Sequence, residues 1–201
     1  MTLERLSAEE TEALLGECGA LARGHFELSS GLHSPAFVQC ALLLEEPRRA
    51  RRVGRALARL LASLRPASVL SPALGGVVIG HEVAEALGVP FRFSERKDGL
   101  MSLRRGFRLE PGERVVVVED VVTTGRSTRE AAAAVEAAGG RVAAVGAIVD
   151  RSGEKAPFDV PFFHLLKLEL PVWRPEECPL CREAGRAEKP GSRVGAGAPQ
   201  A

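Results

Sequence analysis

Glu119 and Asp120 stand together behind four valines, Val115 to Val118, and ahead of Val121, Val122 and the run Thr123-Thr124-Gly125-Arg126-Ser127-Thr128. The valine run is too short and too β-branched for a helix and predicts a buried parallel strand. Ser127 and Glu130 fit a capping box, so the Ala-rich segment that follows is expected to start a helix there. The free N–H groups and positive dipole end of that helix would draw an anion into the loop, where the hydroxyls of Thr123, Thr124, Ser127 and Thr128 add donors. Two carboxylates beside it would repel a bare phosphate unless they hold hydroxyls or a metal. A sugar phosphate meets both demands, its ribose hydroxyls donating to the acids while its 5′-phosphate fills the loop. No G-x-x-x-x-G-K-[ST] or G-x-G-x-x-G run occurs in the chain, which argues against a P-loop or a dinucleotide fingerprint.

This segment resembles the 5-phosphoribosyl-1-pyrophosphate (PRPP) motif of type I phosphoribosyltransferases, and by motif placement the resemblance extends over roughly residues 20 to 182. Phe26-Glu27-Leu28-Ser29-Ser30-Gly31-Leu32-His33-Ser34-Pro35 is similar to the N-terminal signature of the orotate branch of that family, part of a hood over the base. Val149-Asp150-Arg151 falls where those enzymes present an arginine to orotate. The resemblance, which is to a thermophile-type branch, implies transfer of the phosphoribosyl group from PRPP to orotate in pyrimidine biosynthesis, giving orotidine 5′-monophosphate and pyrophosphate. It implies Mg2+ carried on PRPP rather than held by dedicated protein ligands.

The implied roles fall residue by residue. Glu119 and Asp120 fix the ribose hydroxyls near the charge that develops at C1, and Thr123, Thr124, Gly125, Arg126, Ser127 and Thr128 hold the 5′-phosphate. Ala73, Leu74 and Gly75, in the loop Pro72–Gly76, approach the pyrophosphate. The excursion from Glu95 to Phe107 is expected to be a mobile basic lid with Gly99 and Gly106 as hinges; Lys97, Arg104 and Arg105 would contact pyrophosphate, with Arg96 in support, and closure would exclude water. Arg151, Phe37 and Thr123 would bind orotate, the guanidinium taking its carboxylate or carbonyl oxygens. A homodimer is implied, with the lid shared across the interface. The sequence departs from the family pattern at Gly75 and Ser29, where many relatives carry Lys, and at Ala36, where Tyr is usual.

Elements that would position these residues can be read from periodicity. Ser7 to Glu10 is a second capping box, and Leu14, Leu15, Cys18 and Leu21 predict a helix stopped at Gly24. Short strands around 26–28 and 36–38 suggest a hairpin-like region outside the main sheet. A helix over 47–64 presents Val53, Leu57, Leu60, Leu61 and Leu64 on one face and arginines on the solvated other face. A strand at 68–71, a helix near 77–87, a strand near 91–93, a polar excursion to 112, the 114–118 strand, a helix to about 138 and a strand over 142–149 then alternate. That order predicts an α/β fold, a doubly wound, mostly parallel sheet with a small hood formed by N-terminal and C-terminal segments. The expected division is an N-terminal helix and hood segment over 1–45, a PRPP-binding core over 46–164, a C-terminal hood or strand segment over 165–182, and a mobile tail over 183–201.

Composition narrows the alternatives. Among 201 residues, 27 basic and 26 acidic side chains leave a net charge of +1, with no field of the kind that marks nucleic-acid binders. No apolar run reaches membrane-spanning length, and a cytoplasmic protein without nucleic-acid or membrane partners is expected. A purine phosphoribosyltransferase is disfavoured by the hood signature and Arg151. A non-catalytic PRPP-sensing regulator that binds nucleic acid is disfavoured by the neutral charge and the retained lid cations. Cys18, Cys40, Cys178 and Cys181 do not make a secreted disulfide framework. Cys178-Pro179-Leu180-Cys181 has the spacing of half a zinc site, but no second pair follows it. Reduced structural thiols are the expectation there, with a disulfide or a zinc ion shared with distant or partner residues as alternatives. His33 is read as a turn residue or a polar hood residue.

Overall fold

A computed structural model describes residues 3–28, 30–153 and 157–190; Ser29 lies outside them. The chain forms two compact units, one of residues 1–20 and 39–169 and one of residues 21–38 and 170–201. The expected boundaries differ: the N-terminal helix belongs with the sheet, and so does the chain from 165 to 169.

In the first unit, α1 (Ala8–Glu17) is opened by the expected capping box, with Glu10 N donating to Ser7 Oγ at 3.2 Å and Ser7 N to Glu10 Oε2 at 2.7 Å. It stops earlier than the periodicity predicts. Gly19 takes a positive φ of 73°, the usual helix exit, and Leu21 already starts a strand. After α2 (Ala41–Leu44), α3 (Pro47–Leu61) begins at Glu46, whose carboxylate accepts from Arg48 N and Arg49 N, with Pro47 in the first turn. Proline is well placed there because its missing N–H would have no helical partner. Val53, Leu57 and Leu61 are fully buried while Leu60 is exposed.

The sheet contains β3 (Ser68–Pro72), β4 (Phe91–Lys97), β5 (Leu100–Leu103), β6 (Arg114–Val122), β7 (Arg141–Asp150) and β8 (Phe162–Lys167), in the order β5-β4-β3-β6-β7-β8. All neighbours are parallel except β4 and β5. Val115 to Val118 are wholly buried, as an unbroken valine run on a central strand requires. The helix α4 (Gly76–Leu87) follows β3, and α5 (Arg126–Ala137) follows β6. Leu57 and Leu61 of α3 pack over Gly146, while Ala131 and Val135 of α5 join Leu70, Val115, Val117 and Val145 in a separate core cluster. The fold is therefore the expected doubly wound α/β sheet. Its order reverses between β3 and β6, the switch point at which such sheets open a crevice at their carboxyl edge.

The excursion after β4 is more regular than expected. β4 and β5 form an antiparallel hairpin closed by Asp98 and Gly99, with φ of 52° and 83°, which is type I′ turn geometry. Gly99 is thus a turn residue, and Lys97 ends a strand.

The second unit holds β1 (Leu21–Glu27) and β2 (His33–Val38), the expected hairpin, with a bulge between Arg23 and Phe26. It also holds α6 (Leu180–Glu183). The tail expected to be mobile from 183 is tied down as far as Lys189: Glu188 N donates to His25 O at 2.8 Å, Glu27 N donates to Glu188 O at 2.7 Å, and Lys189 pairs with Glu27. Residues 191–201 lie outside the described part.

Candidate active site

The two loops at the switch point approach each other through glycine. A Cβ on Gly75 would lie 2.8 Å from Asp120 Oδ1, and one on Gly76 would lie 2.8 Å from Val118 O and 3.1 Å from Glu119 Oε1. The two contacts at 2.8 Å are too short for a real side chain. The chain after β3 therefore runs against the acid pair because residues 75 and 76 have no side chains. Ala73, Leu74 and Gly75 all lie in this turn, whose Ala73–Leu74 peptide is cis and whose Leu74 side chain is 86% exposed.

Glu119 and Asp120 are the sixth and seventh residues of β6, so the strand runs past them to Val122. Glu119 is buried, and among the described residues neither acid has a salt bridge. Burial, and then the Asp120 charge, push the Glu119 carboxyl up to about 9. Burial also raises Asp120, opposed in part by Val121 N, which donates to Asp120 Oδ1 at 2.9 Å. Beneath them Cys40 is a buried thiol raised by burial and by the Asp120 charge. An acid pair without a cation calls for hydroxyl donors or a bound cation to carry its negative charge.

Thr123, Thr124 and Gly125 form the turn into α5, with Thr123 and Thr124 exposed. The capping box expected at Ser127 is not formed. The N-cap is Gly125, in the left-handed region at φ 68°, and Glu130 instead holds Arg126 and Arg96. Arg126 N reaches Thr124 Oγ1 at 3.4 Å, and the first intrahelical bond runs from Arg129 N to Gly125 O. The N–H groups of Ser127 and Thr128 precede that bond and face the loop mouth, as the first turn of any helix leaves them.

Of the four lid cations, Arg105 makes a two-point contact with Glu95 and Arg96 pairs with Glu130 and Gly99 O. Lys97 and Arg104 are exposed and form no salt bridge among the described residues. Sequence reasoning passed over Glu95 and Glu130 as partners. The spacing of Arg126 and Glu130, four residues apart on one helix, was the available signal.

Arg151 follows β7 directly, its N–H donating to Val122 O at 2.8 Å, so it emerges beside Thr123 at the same sheet edge. Burial lowers its pKa from the ordinary guanidinium value, and no acid pairs with it among the described residues. The neighbouring Asp150 is taken up by Ser152 N and Oγ, at 2.8 and 2.6 Å. Phe37 lies in the second unit, against Phe26 at 6.1 Å between ring centroids.

A doubly wound sheet with an acid pair, a glycine turn and a hydroxyl-rich helix entry at its switch point is the arrangement of a phosphoribosyltransferase domain. The family model for the phosphoribosyl transferase domain matches residues 41–180. Orotate phosphoribosyltransferase of Thermotoga maritima is 52% identical over 180 residues, 90% of this chain and 96% of that protein. The enzyme of the same name from Heliobacterium modesticaldum is 51% identical over 191 residues, 94% of this chain and 100% of that protein. Among solved structures, the orotate phosphoribosyltransferase of Aeropyrum pernix superposes with a TM-score of 0.66 at 25% identity, covering 78% of this chain and 93% of that one. The chain belongs to the orotate phosphoribosyltransferases.

Proposed function

We propose that this chain transfers the 5-phosphoribosyl group of PRPP to orotate, forming orotidine 5′-monophosphate and pyrophosphate. The observation that carries this reading is the contact of Gly75 and Gly76 with the acid pair, which brings a place for pyrophosphate and a place for ribose hydroxyls to one point. The identity of the base rests on the relatives and on a half-buried Arg151 at the same edge that has no acidic partner among the described residues.

In this reading the 5′-phosphate sits on Thr123, Thr124, Gly125, Arg126, Ser127 and Thr128, held by N–H groups and hydroxyls. The ribose hydroxyls donate to Glu119 and Asp120. Those donors, and the positive charge that grows at C1 as pyrophosphate departs, stabilise the ionised acids that burial alone disfavours. Ala73, Leu74 and Gly75 supply backbone contact to the pyrophosphate, and the lid residues Arg96, Lys97, Arg104 and Arg105 supply its countercharge. Ion pairs this exposed, Arg105–Glu95 and Arg96–Glu130, are screened by water and contribute little, so both arginines can exchange carboxylate for pyrophosphate at little cost. Arg151, with Thr123, holds orotate. Mg2+ suits the oxygen-only donor set of the acid pair; arriving on PRPP, it would supply Lewis-acid stabilisation of the leaving group.

Product formation measured in parallel with orotate, uracil, adenine, guanine and hypoxanthine tests the reading. Orotate alone should give a nucleotide. Turnover of a purine in place of orotate would replace the base assignment, and turnover of none would remove the catalytic one.

A further inference from the structure

We propose that His25, His33, Cys178 and Cys181 bind a structural zinc ion within the second unit. Each offers one ligand atom, two imidazole nitrogens and two sulfurs, and all four atoms lie within 4.8 Å of one another. His25 Nε2 is 2.9 Å from His33 Nδ1, 3.5 Å from Cys178 Sγ and 3.7 Å from Cys181 Sγ; Cys181 Sγ is 3.3 Å from His33 Nδ1. Tetrahedral zinc, with bonds of about 2.3 Å to sulfur and about 2.0–2.1 Å to nitrogen, requires N···S edges of about 3.5 Å. The three observed N···S separations straddle that value.

The backbone explains how residues so distant in sequence meet. The bulge in β1 places His25 and Phe26 both inward in succession, and a bulge re-aims a side chain in this way. The C-terminal segment pairs with the hairpin at two points, Trp173 with His33 and Glu188 with Phe26. Between these points Cys181 N donates to Cys178 O at 3.2 Å, closing the Cys-Pro-Leu-Cys turn. The cysteine pair is thus the half-site that the sequence shows, and the hairpin histidines complete it.

Energetics favour a metal over four neutral side chains. Among the described residues the second unit buries only Leu21, Phe26, Ala36, Val38 and Cys178 as apolar groups, beside His25, His33 and Ser34. A core that small rarely holds a fold without a disulfide or a metal. All four cysteines are unpaired. Two thiolates neutralise a divalent cation, so the occupied site carries no net charge into the interior. Sulfur with imidazole selects zinc over hard cations, and four protein ligands leave no position for substrate, which makes the site structural. His25 Nδ1 has no acceptor among the described residues, so no second hydrogen bond orients that ring.

The full chain, expressed with zinc and dialysed against metal-free buffer, should retain one zinc ion per chain by elemental analysis. Exchange for Co2+ should give the visible bands of a tetrahedral site together with sulfur-to-cobalt charge transfer. Cys181→Ser and His33→Ala, which remove ligands, should lower metal affinity by more than the roughly ten- to a hundredfold that loss of an outer-shell partner costs, whereas Cys18→Ser should leave it unchanged. If the ligand variants fail to fold, the cobalt spectrum of the unaltered chain decides the matter. Retention below about a tenth of an ion per chain, a cobalt spectrum without sulfur charge transfer, or a Cys178–Cys181 disulfide in the purified protein would overturn the proposal.

Discussion

Glu119 is a carboxyl group that the folded, ligand-free chain holds protonated at neutral pH, and this links stability to pH. Its ordinary value is 4.5 and its folded value about 9. Between those limits the unfolded chain has released a proton that the folded chain retains, so folding takes one up. The contribution is full below pH 4.5 and is lost as pH rises through 9, at up to about 1.4 kcal/mol per pH unit. Glu119→Gln has no proton to lose. In thermal melts without ligand the variant should match the parent near pH 5 and melt several degrees higher at pH 8, in line with roughly 2–4 °C per kcal/mol for a chain of this size. A gap that does not change with pH would show that Glu119 is ionised in the free protein. Arg151 supports a second expectation at this scale. Because it has no acidic partner among the described residues and sits beside Thr123, Arg151→Ala should raise KM for orotate by about ten- to a hundredfold, the loss of a charge-assisted bond of about 1.5–3 kcal/mol. KM for PRPP should stay within about twofold. Equal losses for both substrates would assign Arg151 to the architecture of the loop.

Among the elements, the turn after β3 is where a single atom matters most. Gly75 has ordinary right-handed φ and ψ, −53° and −45°, so alanine meets no backbone strain there. The added methyl would instead meet Asp120 Oδ1 at 2.8 Å, and Val121 N already fixes that carboxylate. Gly75→Ala should therefore lower kcat by about ten- to a hundredfold, as displacement of a reacting group does, with little change in melting temperature because residue 75 is exposed. An unchanged kcat would mean that Asp120 swings aside freely. The valine run, Pro47 and the Thr/Gly run made β6, α3 and the turn into α5 legible in the sequence, since each depends on neighbours within a few positions. What stayed hidden depends on tertiary partners. Glu130 matches the capping pattern, yet its carboxylate goes to Arg96 and Arg126 while Gly125 caps the helix. His25 and His33 are unremarkable in a turn-rich hairpin and meet the cysteine pair only through strand pairing some 150 residues away in sequence.

At the scale of the whole molecule, the proposed lid could close over its own chain's site or over that of a second copy. Of the apolar residues of α3, Val53, Leu57 and Leu61 are spent in the core, while Leu60 is exposed, as are Val78, Leu74 and Leu100. Leu74 in the turn after β3 and Leu100 in the β4–β5 hairpin, both exposed, suit a partner surface better than water. Within one chain the lid arginines fold back onto Glu95 and Glu130, while Lys97 and Arg104 point to solvent without a carboxylate partner among the described residues. A lid that serves a second chain would look like this in the absence of substrate. If it does, a Lys97→Ala/Arg104→Ala chain and an Asp120→Asn chain, each nearly inactive alone, should recover activity when mixed and allowed to exchange subunits. Each heterodimer would combine one intact lid with one intact acid pair, giving up to about half the parental activity per dimer by symmetry. Confirmed exchange without recovery would place the lid over its own site, and a chain that stays monomeric at assay concentration would exclude sharing altogether.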